Sequence, residues 1–151
     1  MKTVNLDELL EDFEFLTDWR DRYQYIIELG DELPPMPEHL KTEDTRVQGC
    51  VSNVWLVPEV RGESPPTLHF LADSDSQIVR GLVAILVMLC SERTADEVCQ
   101  LDLKGIFDRL ELRRHLSRSR SNGFYAMIRR IKGIAERQSQ GQAIDERVSG
   151  N

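Results

Sequence analysis

Apolar residues recur at helical spacing through the first third of the chain. Leu6, Leu9, Leu10, Phe13 and Leu16 stand among acidic residues over positions 5–16, which predicts an amphipathic helix. Asp18 offers an N-cap for a second helix carrying Trp19, Arg22, Tyr23, Ile26, Ile27 and Leu29, with Gly30 as its stop. The two read as a helical hairpin. Pro34, Pro35 and Pro37 then make 31–46 a loop. The pattern next changes period. Val54 to Val60 and Thr67 to Leu71 read as two strands joined by a turn through Arg61-Gly62-Glu63-Ser64-Pro65-Pro66, with a short third strand expected just before Cys50.

After Asp73-Ser74-Asp75-Ser76, a set of N-cap candidates, the segment from about Asp75 to Cys90 is apolar on nearly every side. An all-round apolar helix is a buried one, so this is the expected centre of the fold. Thr94-Ala95-Asp96-Glu97 has the form of a capping box opening a short helix. A further short helix or turn is expected at 104–112, and a long helix or helix pair at 117–138, with a break near Asn122-Gly123. The polar stretch 139–151 reads as a disordered tail. Segregated strands and helices predict an α+β domain over 1–138, with a small antiparallel sheet of about three strands packed against helices.

Composition narrows the function classes. The 151 residues, 40% hydrophobic and 30% charged, are enough for one globular core. A net charge of −7 argues against general phosphate-backbone binding and so against a nucleic-acid partner. A local basic patch stands out at Arg113-Arg114-His115, Arg118, Arg120, Arg129 and Arg130. The N-terminus lacks the apolar core of a signal peptide, and the apolar run from Leu82 to Cys90 is far shorter than the roughly 20 residues a membrane span needs. Three cysteines without CxxC spacing disfavour a disulfide framework or zinc site and fit a reducing, cytoplasmic compartment.

The candidate chemistry centres on Cys50, in the run Arg46-Val47-Gln48-Gly49-Cys50-Val51-Ser52-Asn53. Gly49 permits a turn that places the thiol at a loop tip, outside any apolar periodic segment. A working cysteine acts as its thiolate, which Arg46 would favour, as would Arg118 or Arg120 if folding brings them close. Acyl chemistry would also need a base, and His39, His69 and His115 sit in no recognisable partner motif. Sulfur exchange needs only an accessible thiolate and a docked partner sulfur. Cys90 and Cys99 sit at apolar helical positions and read as core residues. Asp73 and Asp75 read as helix caps rather than an acid–base pair. The run Ser117-Arg118-Ser119-Arg120-Ser121-Asn122-Gly123 is either a solvated helix start or a basic surface beside the cysteine loop.

Val47-Gln48-Gly49-Cys50-Val51-Ser52-Asn53-Val54-Trp55 resembles the cysteine-loop motif of the SufE family of sulfur-acceptor proteins. Three more blocks agree in order: Tyr25 to Gly30 with Leu33-Pro34; Ala72 to Asp75 with Ile78-Val79 and Gly81-Leu82; and His115 to Gly123 with Ala126-Met127-Ile128. The resemblance spans about 6–136 and implies a fold like that of the iron–sulfur scaffold IscU. It implies that Cys50 accepts persulfide sulfur from a SufS-type cysteine desulfurase, speeds that enzyme's turnover, and passes the sulfur to a SufBCD-type scaffold. The pyridoxal phosphate belongs to the desulfurase. No cofactor is expected on this chain, which would be a transfer partner and activator rather than a stand-alone enzyme.

By the same resemblance Arg120 is expected near the Cys50 loop, docking the partner or biasing the thiolate. Gln48, Gly49, Ser52, Asp75 and Asn122 are expected in interface or loop-positioning roles. A homodimer is compatible with the resemblance. A CsdE-type acceptor serving a paralogous desulfurase shares these motifs, and a regulatory module that carries no sulfur is the reading from another class. Because a persulfide needs shelter, Cys50 is expected to be at least partly buried at rest, on a loop that moves out when the partner docks.

Overall fold

A computed structural model describes residues 6–141. The tail expected from residue 139 lies outside the described residues from 142 onward. The chain opens with α1 (Leu6–Phe15) and α2 (Trp19–Asp31), the latter capped by Asp18, whose carboxylate accepts from Arg20 N at 2.8 Å. Phe13 of α1 packs edge-on against Trp19 and Tyr25 of α2, closing the hairpin.

Gly30 does not stop α2, which continues to Asp31. Its role is contact. Helix α3 (Gln77–Cys90) crosses α2 so closely that a Cβ on Gly81 would lie 2.1 Å from the carbonyl oxygen of Ile26, and one on Gly30 would lie 2.7 Å from Gly81 N. The crossing tolerates glycine alone at its tightest point. In α3 every residue from Ile78 to Cys90 except Arg80 is buried, as its uninterrupted apolar run requires.

Strands β1 (Val54–Arg61) and β2 (Thr67–Ser74) form an antiparallel pair, with Val54 opposite Ser74 and Arg61 opposite Thr67. The expected third strand shrinks to one bridge, Arg46 to Trp55. Two hydrogen bonds flank it, Val47 N to Val54 O at 2.8 Å and Leu56 N to Thr45 O at 2.9 Å. Pairing cannot extend along β1, because the next donor facing that side would be Pro58, which has no N–H. At the other end the backbone turns away at Gly49, whose φ of 95° lies in the left-handed region.

Ser76, not Asp73 or Asp75, caps α3, its hydroxyl accepting from Val79 N. Asp73 belongs to β2 and pairs with Lys41 at 3.0 Å. Arg80 Nε lies 3.0 Å from the same carboxylate as an ion-pair contact without hydrogen-bond alignment. Burial alone would raise the Asp73 pKa; the bonds from Lys41 and Ser74 N and the Arg80 charge reverse this and hold it below the ordinary value.

Beyond α3 come α4 (Ala95–Gln100), opened by the Thr94–Glu97 capping box, α5 (Leu103–Arg109), α6 (Leu112–His115) and α7 (Arg118–Ser139). The expected break at Asn122-Gly123 is absent: α7 is continuous, and Gly123 is buried within it. Lys132 of α7 caps α4 by donating to Val98 O and Cys99 O at 2.9 Å each, and to Leu101 O. The core is one cluster joining α1–α3, the inner face of the sheet and α4–α7.

Candidate functional site

Cys50 lies in the loop between the Arg46–Trp55 bridge and β1, and the loop lies against the first turns of α7. Both of its ends are held. Val47 is buried and bonded to Val54. Asn53 donates its backbone N–H to Asp75 Oδ1 at 3.2 Å and its Nδ2 to Asp75 Oδ2 at 2.9 Å, while Asp75 N donates to Asn53 O at 3.3 Å. Asp75 is therefore the anchor of the loop's C-terminal end. Between these ends the chain turns at Gly49, where a side chain would be strained by φ and would meet Ala126 Cβ at 3.2 Å.

The thiol is half-buried, and its Sγ donates to the carbonyl of Gly123 at 3.5 Å. A Cβ on Gly123 would lie 3.4 Å from that sulfur, at the near edge of ordinary contact, so the thiol sits directly against α7. Burial pushes the thiol's pKa up, and the charges of Arg129 and then Arg46 offset this only in part. The resting form is the thiol. Arg129 takes the part expected of Arg118, which does not line the site. Cys90 is fully buried, with its pKa pushed up to about 12 by burial, and is chemically silent.

Beside the sulfur opens a cavity of about 280 Å³. Its floor is apolar, from Val79 and Leu82 of α3 and Met127 of α7. Its rim carries Ser52, Ser117, Ser119 and Arg120. Ser117 caps α7 by accepting from Arg120 N at 3.2 Å. Arg120 is exposed and forms no ion pair among the described residues. Val51, next to Cys50, is 84% exposed, an apolar side chain held out into solvent at the loop tip.

Folding thus brings Cys50, Ser52 and Arg120 to one cavity, with Gly49 and Asp75 as the turn and the anchor of its loop. Gln48 lies outside, exposed, with its amide 3.5 Å from Glu43. Asn122 is exposed on α7 and does not line the cavity among the described residues. The motif reading missed the Gly123 carbonyl, Arg129 and the apolar floor. Arg129 was visible only as one of many arginines, and residues 29–79 positions away in sequence carry no local signal of contact.

The family model described as Fe-S metabolism associated domain, SufE, matches residues 7–135. The chain belongs to the SufE family. An uncharacterized SufE-like protein of Rhizobium meliloti is 49% identical over 134 residues, covering 88% of this chain and 96% of that one. A second, from Rhizobium etli, is 46% identical over 134 residues, covering 88% and 90%. The solution structure of a hypothetical protein from Thermus thermophilus matches the fold with a TM-score of 0.72 at 19% identity, over 89% of this chain and 96% of that one. The SufE resemblance seen in the four sequence blocks and the α+β class both hold. The family ties the chain to iron–sulfur metabolism. Among the described residues no helix is long and apolar enough to cross a membrane, and no group of three or more His, Cys, Asp or Glu side chains could hold a metal ion.

Proposed function

We propose that the chain is a cytoplasmic sulfur acceptor in which Cys50 takes the terminal sulfur of a persulfide held by a SufS-type cysteine desulfurase. The observation that carries this reading is a half-buried thiol on a glycine-turned loop, at the wall of a cavity and flanked by arginines. The Cys50 thiolate attacks the outer sulfur of the donor persulfide. The new bond is Cys50 Sγ–S, the donor's S–S bond breaks, and the electron pair leaves on the donor cysteine as its thiolate. Relieved of its product, the desulfurase turns over faster. The Cys50 persulfide then passes its outer sulfur, by the same exchange, to a SufBCD-type scaffold.

The resting geometry suits storage rather than attack. A protonated thiol donating to Gly123 O is a poor nucleophile, so the exchange needs Sγ to leave that carbonyl and the thiol to ionise beside Arg129, Arg46 or the partner's groups. Exposed Val51 and Arg120, which has no ion pair among the described residues, stand where a partner's surface would meet the loop. A CsdE-type desulfurase would use the same features.

Intact-protein mass after incubation with a cysteine desulfurase and free cysteine tests the reading. A gain of one sulfur on Cys50, absent in Cys50→Ser, is expected. Full desulfurase activation by Cys50→Ser would replace the carrier with a regulatory module.

A further inference from the structure

The cavity beside Cys50 is larger than its own sulfur chemistry requires. A persulfide adds a single atom to the thiol, whereas about 280 Å³ of space adjoins Sγ, enough for a whole small molecule. The character of the walls narrows what that molecule is. The rim supplies the Arg120 guanidinium and the Ser52, Ser117 and Ser119 side chains, with no carboxylate among the lining residues. Arg120 has no ion-pair partner among the described residues, so no carboxylate among them competes for it. The Arg129 and Arg46 charges act on the thiol itself. The one charged residue lining the space, Arg120, is positive, while Val79, Leu82 and Met127 give it an apolar floor suited to a soft, polarisable atom such as sulfur.

We infer that this cavity binds a small anion carrying a terminal sulfur–sulfur bond, and that Cys50 takes sulfur from such an anion without a desulfurase. This rests on the reading of Cys50 as a sulfur-carrying thiol. Thiosulfate is such an anion. The Cys50 thiolate attacks the outer, sulfane sulfur and forms the Sγ–S bond. The bond between the sulfane sulfur and the sulfonate sulfur breaks, its electron pair leaves with sulfite, and Cys50 is left as the persulfide anion. No outside oxidant or reductant is consumed. Arg120 and the serine hydroxyls hold the sulfonate oxygens at the rim while the sulfane sulfur faces the thiol.

Two measurements on the full chain test this. In the first, thiosulfate alone is the sulfur source, with intact mass and released sulfite as readouts. One added sulfur on Cys50 and one sulfite per chain are expected, and neither in Cys50→Ser. In the second, Cys50 is alkylated by anionic iodoacetate and by neutral iodoacetamide. Both need the same thiolate, so the ratio of their rates reads anion recruitment apart from thiol ionisation and loop opening.

That ratio should exceed the ratio for a free thiol. It should fall by about fivefold in Arg120→Ala, the effect of one unit charge at about 4 Å in water-like surroundings, and be retained in Arg120→Lys. A ratio equal to that of a free thiol, or unchanged in Arg120→Ala, overturns the anion site. If the same preparation is charged by a desulfurase with cysteine but not by thiosulfate, the inference fails and the carrier reading stands. If neither source charges Cys50, both fail.

Discussion

Removing the Asp75 carboxylate should release the cysteine loop without unfolding the protein. Two hydrogen bonds join Asn53 to that carboxylate, from the backbone N at 3.2 Å and from Nδ2 at 2.9 Å. Both are exposed to solvent, so each contributes at the low end of the usual net range, about 0.5–1 kcal/mol. Asp75→Ala therefore shifts the closed–open equilibrium of the loop by about 1–2 kcal/mol, roughly a five- to thirtyfold gain in the open population. Val47 keeps its bond to Val54 at the other end, and the Asp75 backbone N–H can still reach Asn53 O. The change is thus confined to one end of the loop.

The assay is the rate of Cys50 alkylation by iodoacetamide at fixed pH, with hydrogen exchange of the Asn53 amide as a local check. In the closed loop Sγ is half-buried against Gly123 O and its pKa is raised, so alkylation samples the open form. A rise of five- to thirtyfold, with faster Asn53 exchange and little change in the urea midpoint, is expected. Asp75→Asn keeps one acceptor oxygen and should fall between. An alkylation rate equal to that of the native chain in Asp75→Ala would refute the idea that this anchor holds the loop closed.

Gly81→Ala should destabilise the fold by about 2–4 kcal/mol in urea denaturation, since its Cβ would sit 2.1 Å from the backbone oxygen of Ile26 and the α2–α3 crossing must open; a near-native midpoint would contradict the close crossing. The pH profile of Cys50 alkylation should have its midpoint above that of a free thiol, and Arg129→Ala should move it higher still, because the lost cation favoured the thiolate; a downward move would refute the assignment. The same raised pKa means that the folded chain binds the thiol proton more tightly than the unfolded chain. This contribution to stability is present below the ordinary thiol pKa and is lost as pH rises through the folded value. Asp73→Asn should remove a contribution of the opposite sign, one present above the ordinary carboxylate pKa and lost as pH falls through the lowered folded value, so native and variant stabilities should converge in acid. Under native conditions Cys90 should resist thiol reagents that modify Cys50, becoming reactive only on unfolding; its modification in the folded state would contradict its burial.

Elements with strong local codes were legible. The 3.6-residue repeat of α1 and α2, the Asp18, Thr94 and Ser117 caps and the apolar run of α3 each state their structure within a few residues of themselves. What misled was any residue whose use depends on a distant partner. Gly30 has the form of a helix stop, but it lies just inside the end of α2, where its missing side chain is needed against Gly81. Asn122-Gly123 has the form of a break, yet Gly123 lies inside a continuous helix because the cysteine loop packs on it. Asp73 and Asp75 have the form of caps, but the ion pair to Lys41 and the bonds to Asn53 claim them first. The third strand failed for a reason that was in view, since Pro58 offers no donor where the ladder would continue.

The sequence by itself determined the helical hairpin, the buried central helix, the α+β class and Cys50 as the reactive candidate, because each follows from periodicity, a turn residue or a motif acting over a few positions. Only the tertiary structure decided the chemistry of that cysteine. Whether a thiol is free or sheltered, protonated or ionised, depends on what lies across from it. Gly123, Arg129 and the cavity floor come from α3 and α7, which the folded core brings to the loop and which no local pattern could have placed there.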